Sequence, residues 1–113
     1  MYSYTKALRL NTADEFSSVF VFRKTINGAW LRIHYKPNES NCSRLGLTIS
    51  KKNHKRAHRR NYMKRVIREL FRQQQPLWSG YDIIVRAHKC FMPADFIGVK
   101  QEFIQLTQKF ARN

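Results

Sequence analysis

The chain has 113 residues, 42% of them hydrophobic, and its 22 lysines and arginines against 7 aspartates and glutamates give a formal net charge of +15. Size and apolar content suit a single domain over residues 1–113, and the charge favours a large acidic partner. Composition does not distinguish nucleic acid from an anionic membrane as that partner, but no apolar run approaches the about 20 residues that a membrane span needs, and the first residues lack the apolar core of a signal peptide. Cys42 and Cys90 are too few for a disulfide framework and too far apart in sequence for a zinc site, so we expect unpaired thiols in a cytoplasmic protein.

The first predicted element is a short helix. Thr12 and Glu15 match the capping-box pattern, so the helix begins after Thr12 and carries Phe16 and Phe20 on one side. The turn signal at Asn27 and the following glycine has two interpretations. It either joins a weak strand at 19–22 to the next strand, or it simply precedes that strand.

Two alternating segments follow. Residues 30–35 place Leu31, Ile33 and Tyr35 on one face, and residues 44–50 place Leu45 and Leu47 on one face, as half-buried strands do. Because a short polar segment with turn residues separates them, we predict two neighbouring antiparallel strands.

The second half of the chain predicts two helices around a third strand. One helix spans about 57–74 and ends before Pro76, the strand fits 82–86, and an amphipathic last helix starts near Pro93. The order is αβββαβα with the weak strand and αββαβα without it. The predicted class is therefore α+β, with one sheet packed by helices.

The helix at 57–74 has two different sides. At about 100° per residue, one apolar stripe faces the core and consists of Met63, Val66, Ile67, Leu70 and Phe71. The opposite side carries a row at four-residue steps, with Asn61 and Arg65 beside it: Arg60, Lys64, Arg68 and Arg72.

The charge of this row indicates polyanion binding. A helix face that is merely solvated usually alternates Glu with Lys and Arg, whereas Glu69 is the only acid here. Arginine suits bidentate contact with phosphate, and Asn61 both donates and accepts. Lys51 and Lys52 extend the same basic segment.

RNA is favoured over DNA because the element order is not that of a helix-turn-helix, homeodomain or zinc finger. Phe16 and Phe20, four residues apart, could stack on the bases of a single strand. The alternative interpretation of both rings is ordinary core packing, and spacing leaves the choice open.

Two segments together resemble the bacterial ribonuclease P protein component. Residues 44–52 read RLGLTISKK and residues 57–69 read AHRRNYMKRVIRE. A strand ending in Lys-Lys, a short basic connection and a helix opening with Arg60, Asn61, Lys64 and Arg65 are similar to that family, and the resemblance runs over nearly the whole chain, including Arg9. Tyr62 departs from it, since the family pattern has an arginine there. Arg56 and Arg59 could replace the lost charge, or Tyr62 could stack instead.

The resemblance implies a sandwich of a mixed sheet and helices with an unusual left-handed βαβ crossover. It implies the protein subunit of a ribonucleoprotein endoribonuclease, which removes the 5′ leader of precursor tRNA with Mg²⁺ bound by the catalytic RNA. It assigns the leader to a cleft with Phe16 and Phe20, and implies neither a membrane partner nor a small-molecule substrate. We assign RNA binding to the following residues: Arg9, Lys51, Lys52, Arg56, Arg59, Arg60, Asn61, Lys64, Arg65 and Arg68.

Two other functions compete with this interpretation. A ribosomal or other structural RNA-binding protein with no role in cleavage would fit the composition equally well. A nuclease that acts without RNA would need positioned acids, bases or metal carboxylates, and the seven acids are scattered singly along the chain. We therefore expect no catalytic residue in the protein, and its metal ligands stay unassigned.

Overall fold

The structure is a computed structural model that describes residues 9–10, 12–49 and 56–112. The described part contains a mixed sheet of four strands and helices on both of its faces. The helices are α1 (Ala13–Phe22), α2 (Ala57–Gln74) and α3 (Phe96–Ala111), with short 3₁₀ turns at Gln75–Trp78 and Pro93–Asp95. The strands are β1 (Lys24–Asn27), β2 (Leu31–Pro37), β3 (Arg44–Ile49) and β4 (Tyr81–Ala87). The predicted α+β class and the order αβββαβα are confirmed.

The start of α1 is confirmed, but the weak strand at 19–22 is wrong. The Thr12 side chain accepts from Glu15 N at 3.2 Å, and the Glu15 carboxylate accepts from Thr12 N at 3.1 Å, so the predicted capping box is formed. The helix continues through Phe22, and Arg23 ends it in a left-handed conformation. β1 begins only after that residue, because the capped helix keeps its backbone hydrogen bonds through 19–22.

The sheet order is β1-β2-β4-β3, so the prediction that β2 and β3 are neighbours is wrong. β4 lies between them, antiparallel to β2 and parallel to β3. Ile83, Ile84 and Val85 are fully buried, which requires cover on both faces and places β4 inside the sheet. The connection from β3 through α2 to β4 is thus a parallel βαβ crossover, and its left hand stays a prediction from the family resemblance.

α2 and α3 pack against one face of the sheet. All five residues of the predicted α2 stripe are buried, and they join Val99, Phe103, Leu106 and Phe110 of α3 in the main core. On the other face a smaller cluster unites Val19 of α1 with Leu10 and Ile84, and Phe16 packs against it. The sheet is therefore covered fully on one face and only partly, by α1, on the other.

Candidate nucleic-acid interface

The basic side of α2 faces outward because its apolar stripe is buried. Asn61, Arg65 and Arg68 are exposed, while Arg59, Arg60 and Lys64 are partly buried, and the exposed Arg56 is the residue before the helix. No acid stands in the first turn of α2, so the positive end of its helix dipole adds to the charge of Arg56, Arg59 and Arg60. Such a helix start favours an anion. Lys51 and Lys52 lie outside the described residues.

The structure brings Arg9 and Phe16 next to α2. Backbone pairing of Arg9 and Leu10 with Leu45 holds this N-terminal segment on β3, with Leu10 N donating to Leu45 O at 2.9 Å. A pocket of about 200 Å³ follows from this arrangement, and its lining includes the predicted residues Arg9, Phe16, Lys64 and Arg68. Residues far apart in sequence thus form one surface.

Gly46 allows the Phe16 ring to lie directly on β3. A Cβ atom at position 46 would stand 2.7 Å from Phe16 Cζ, which is closer than side chains approach. The ring is half-buried against the small cluster of Leu10, Val19 and Ile84, so the core-packing interpretation holds for part of its surface.

Arg72, the last cation of the predicted row, is paired with Glu69. Arg72 Nε donates to Glu69 Oε2 at 3.0 Å, and a second guanidinium nitrogen contacts the other carboxylate oxygen. The hydrogen bond from Arg72 lowers the pKa of Glu69. The single acid of this helix therefore offsets charge at one end of the row.

Tyr62, which replaces a family arginine, is partly buried. Its ring meets Phe91 edge-on at 6.3 Å, and the Arg65 guanidinium lies 5.8 Å from the ring centroid. The tyrosine thus contacts Arg65 by a cation–π interaction.

Phe20 lies over the sheet on the face that carries α1. Phe20 is 38% exposed, and its ring stands 6.4 Å from the Phe16 ring and meets the His34 ring edge-on at 4.8 Å. Phe20 is therefore more accessible than Phe16, as a stacking residue needs to be.

Sequence reasoning missed the polar row of the sheet beside these rings. The pairing register places four residues in one row across the four strands: Asn27, Arg32, Arg86 and Thr48. His34 is two residues from Arg32 in β2, so it lies on the same face of the sheet. Arg32 Nε donates to Asn27 Oδ1 at 2.6 Å. We call Phe16, Phe20 and this row the α1 face. Strand alternation indicated that Arg32 and His34 share a side, but only the strand order brings Arg86 and Thr48 to them.

His34 is 9% exposed, and its Nε2 is buried without a hydrogen-bond partner among the described residues. Burial lowers the pKa of His34, and the positive charges of Arg32 and Arg86 lower it further. The imidazole is therefore neutral at pH 7, and its ring packs against Phe20.

We expect the free energy of unfolding to fall as the pH drops below 6.5, the ordinary pKa of histidine, because the unfolded chain then binds a proton that folded His34 resists. The slope due to one such group is at most about 1.4 kcal/mol per pH unit. Chemical unfolding of His34→Gln between pH 5 and 7.5 should show a shallower slope than the unsubstituted protein. His58→Gln, at an exposed position, is the control. Equal slopes for the two variants would contradict the assignment.

Four of the acids that are scattered along the sequence lie around one pocket in the structure. Asp14, Glu15, Glu39 and Asp82 line a pocket of about 650 Å³ together with Arg44. Arg44 forms ion pairs with both Glu15 and Asp82 at 2.7 Å. In residues 9–10, 12–49 and 56–112, no three His, Cys, Asp or Glu side chains are grouped so that they could hold a metal ion.

Cys42 is exposed and Cys90 is partly buried, and the described part of the chain contains no disulfide between them. Within the described ranges, no helix combines the length and the apolar character required to cross a bilayer.

Comparisons with known proteins identify the family of the chain. The family model described as Ribonuclease P matches residues 4–111. The ribonuclease P protein component of Azoarcus sp. (strain BH72) is 43% identical over 100 residues, covering 88% of this chain and 83% of the relative. That of Aromatoleum aromaticum is 39% identical over 107 residues, covering 95% and 90%.

Solved structures are similar over the same extent. The RNase P protein from Thermotoga maritima has a TM-score of 0.80 and 29% identity, covering 89% of this chain and 96% of its own. That of Staphylococcus aureus has a TM-score of 0.79 and 26% identity, covering 92% and 95%. Because the family model spans nearly all of the sequence and the fold agrees as well, this chain belongs to the ribonuclease P protein family, whose members are the protein component of a ribonucleoprotein endoribonuclease.

Proposed function

We propose that this chain binds the catalytic RNA of ribonuclease P through α2 and holds the 5′ leader of precursor tRNA on the α1 face, so that the holoenzyme releases mature 5′ ends. The observation that supports this most is the shared pocket of Arg9, Phe16, Lys64 and Arg68. This pocket joins the basic side of α2 to the Phe16 ring. The catalytic RNA and the leader could therefore bind to adjoining parts of one surface. A purely ribosomal role is not favoured, because the family match covers residues 4–111.

The basic side of α2 would bind the catalytic RNA and fix its orientation. Arg60, Asn61, Lys64, Arg65 and Arg68 project from one rigid helix whose other side is locked in the core, so their donors meet the RNA at a set spacing. Neutralising this surface with phosphates also relieves repulsion within a chain of net charge +15.

The α1 face suits a single strand of varied sequence. The exposed ring of Phe20 offers a stacking surface to any base, while Arg32 and Arg86 lie where they attract the strand's phosphates. The neutral His34 ring packs edge-on against Phe20 and supports that ring from the sheet.

We place Mg²⁺ on the RNA, where it would stabilise the charge that develops at the cleaved phosphate. The described carboxylates do not fit a metal site of their own, because Arg44 pairs with two of them and no group of three is suitably placed. The chain's contribution is thus to bind and orient RNA.

The direct test is cleavage of precursor tRNA by the RNA subunit from the same genome at low Mg²⁺, with and without this protein. We expect stimulation by the protein, and no cleavage by the protein alone. Absence of stimulation at concentrations that saturate RNA binding would overturn the proposed function.

Arg65→Ala should weaken binding of the RNA subunit and reduce the slope of log Kobs against log salt by about 1, because one phosphate contact is lost. Binding titrations at several salt concentrations measure both quantities. Lys109→Ala removes an exposed cation of α3 and serves as the matched control. A slope for Arg65→Ala that equals that of the control would refute this contact.

Phe20→Ala should weaken binding of precursor tRNA by the holoenzyme, with mature tRNA unaffected, because only the precursor has a leader to stack. The expected loss is about 1–3 kcal/mol. Val21→Ala is the control, since Val21 is 76% exposed on the same helix. An equal loss for precursor and mature tRNA would indicate altered folding instead of a leader contact.

A further inference from the structure

A second pocket lies on the other flank of α2, where it meets the start of α3. Its volume is about 470 Å³, and we call it the α2–α3 pocket. Its lining consists of Arg65, Val66, Arg68, Glu69, Arg72 and Phe96. Arg68 also lines the pocket that contains Phe16, so this cation lies between the two sites.

The lining combines an apolar floor with a basic rim. Val66 is buried and Phe96 is partly buried against the main core, so both present a surface that is fixed in place. Three arginines surround this surface. A planar apolar group that carries a negative charge matches such a site, and an unstacked nucleotide has both features.

Contacts with two neighbouring side chains, Tyr62 and Glu69, orient the arginines of the rim. Arg65 lies over the Tyr62 ring, and Arg72 is held by Glu69 through two contacts. The carboxylate of Glu69 reduces repulsion among the three arginines and provides an acceptor that a ribose hydroxyl or a base amino group could use.

We propose that the α2–α3 pocket takes one unstacked nucleotide of the RNA subunit, with its base against Phe96 and Val66 and its phosphate between Arg65 and Arg68. This inference rests on the proposed function and adds a base-stacking contact to the phosphate contacts of α2. The leader is assigned to the other flank, where Phe16 and Phe20 lie, so the pocket belongs to the RNA subunit.

The test compares Phe96→Leu, which keeps an apolar side chain but removes the ring, with Phe96→Tyr, which keeps the ring. Ile97→Ala is the matched control, because Ile97 follows in the same helix, is 68% exposed and does not line the pocket. We expect Phe96→Leu to weaken binding of the RNA subunit about 5- to 150-fold, with Phe96→Tyr close to the unsubstituted protein. The salt slope should not change, because no phosphate contact is removed.

A second measurement does not depend on the stability of the leucine variant. With p-azidophenylalanine in place of Phe96, irradiation of the holoenzyme bound to precursor tRNA should crosslink one position of the RNA subunit. A crosslink to the leader or to another protein chain, or none, would overturn the inference.

Different results would contradict the proposed function and the proposed nucleotide pocket. If the unsubstituted protein neither binds the RNA subunit nor stimulates cleavage, the proposed function is wrong. If it does both while Phe96→Leu behaves like Ile97→Ala, the nucleotide pocket is wrong and the proposed function stands.

Discussion

Replacing Glu102 by alanine should lower the free energy of unfolding by about 2–4 kcal/mol, because one carboxylate accepts three backbone hydrogen bonds from a distant loop. Its Oε1 accepts from Ala29 N at 2.6 Å, and its Oε2 accepts from Trp30 N at 2.9 Å and from Leu31 N at 2.8 Å. Hydrogen bonds to a charged acceptor are the stronger class. Glu102 thus fastens α3 to the start of β2.

Urea unfolding measures this loss, and Gln101→Ala is the control because Gln101 is exposed in the same helix. The loop that Glu102 holds leads into Arg32 and His34, so the variant should also lose selectivity for precursor over mature tRNA. A midpoint for Glu102→Ala that equals that of the control would show that these three hydrogen bonds add nothing to stability.

Arg44→Met should cost about 2–3 kcal/mol of stability and weaken leader binding, because the arginine ties α1 to the sheet. Its Nε and Nη2 donate to the two carboxylate oxygens of Asp82 at 2.8 and 2.7 Å, and its Nη1 donates to Glu15 of α1 at 2.7 Å. The hydrogen bond with Asp82 raises the pKa of Arg44. Among the described residues, the variant leaves the buried Asp82 carboxylate with Asn38 as its side-chain donor, at 2.9 Å.

Two further variants distinguish the loss of a positive charge from the cost of leaving a buried carboxylate unpaired. Lys24→Met removes an exposed cation from β1 and should leave stability nearly unchanged. Asp82→Asn combined with Arg44→Met should recover part of the loss, because no unpaired carboxylate is then buried. If the double variant is less stable than Arg44→Met alone, the cost does not come from the unpaired charge.

Local patterns in the sequence were enough for the helices. The capping box at Thr12, the five-residue stripe of α2 and the amphipathic last helix are all formed as predicted. They depend on residues within one or two turns of each other, so no long-range information is needed. The basic side of α2 follows from the same periodicity, because burying one side of a helix exposes the other.

Strand neighbours and the composition of the sites depended on tertiary structure. Alternation shows which side of a strand is apolar but not which strand lies beside it, so the position of β4 between β2 and β3 was missed. For the same reason, the sequence did not predict that Arg32, Arg86 and Thr48 lie in one row. The contacts of Phe96 with α2 and the place of Arg9 against β3 join residues that are distant in sequence.

The sequence by itself thus determined the three helices, the α+β class and the basic side of α2, since each arises from side chains spaced along one element. Only the folded chain decided which polar side chains meet across elements. These contacts depend on how the complete core packs. The same packing fixes the order of the strands and decides which residues lie on each flank of α2.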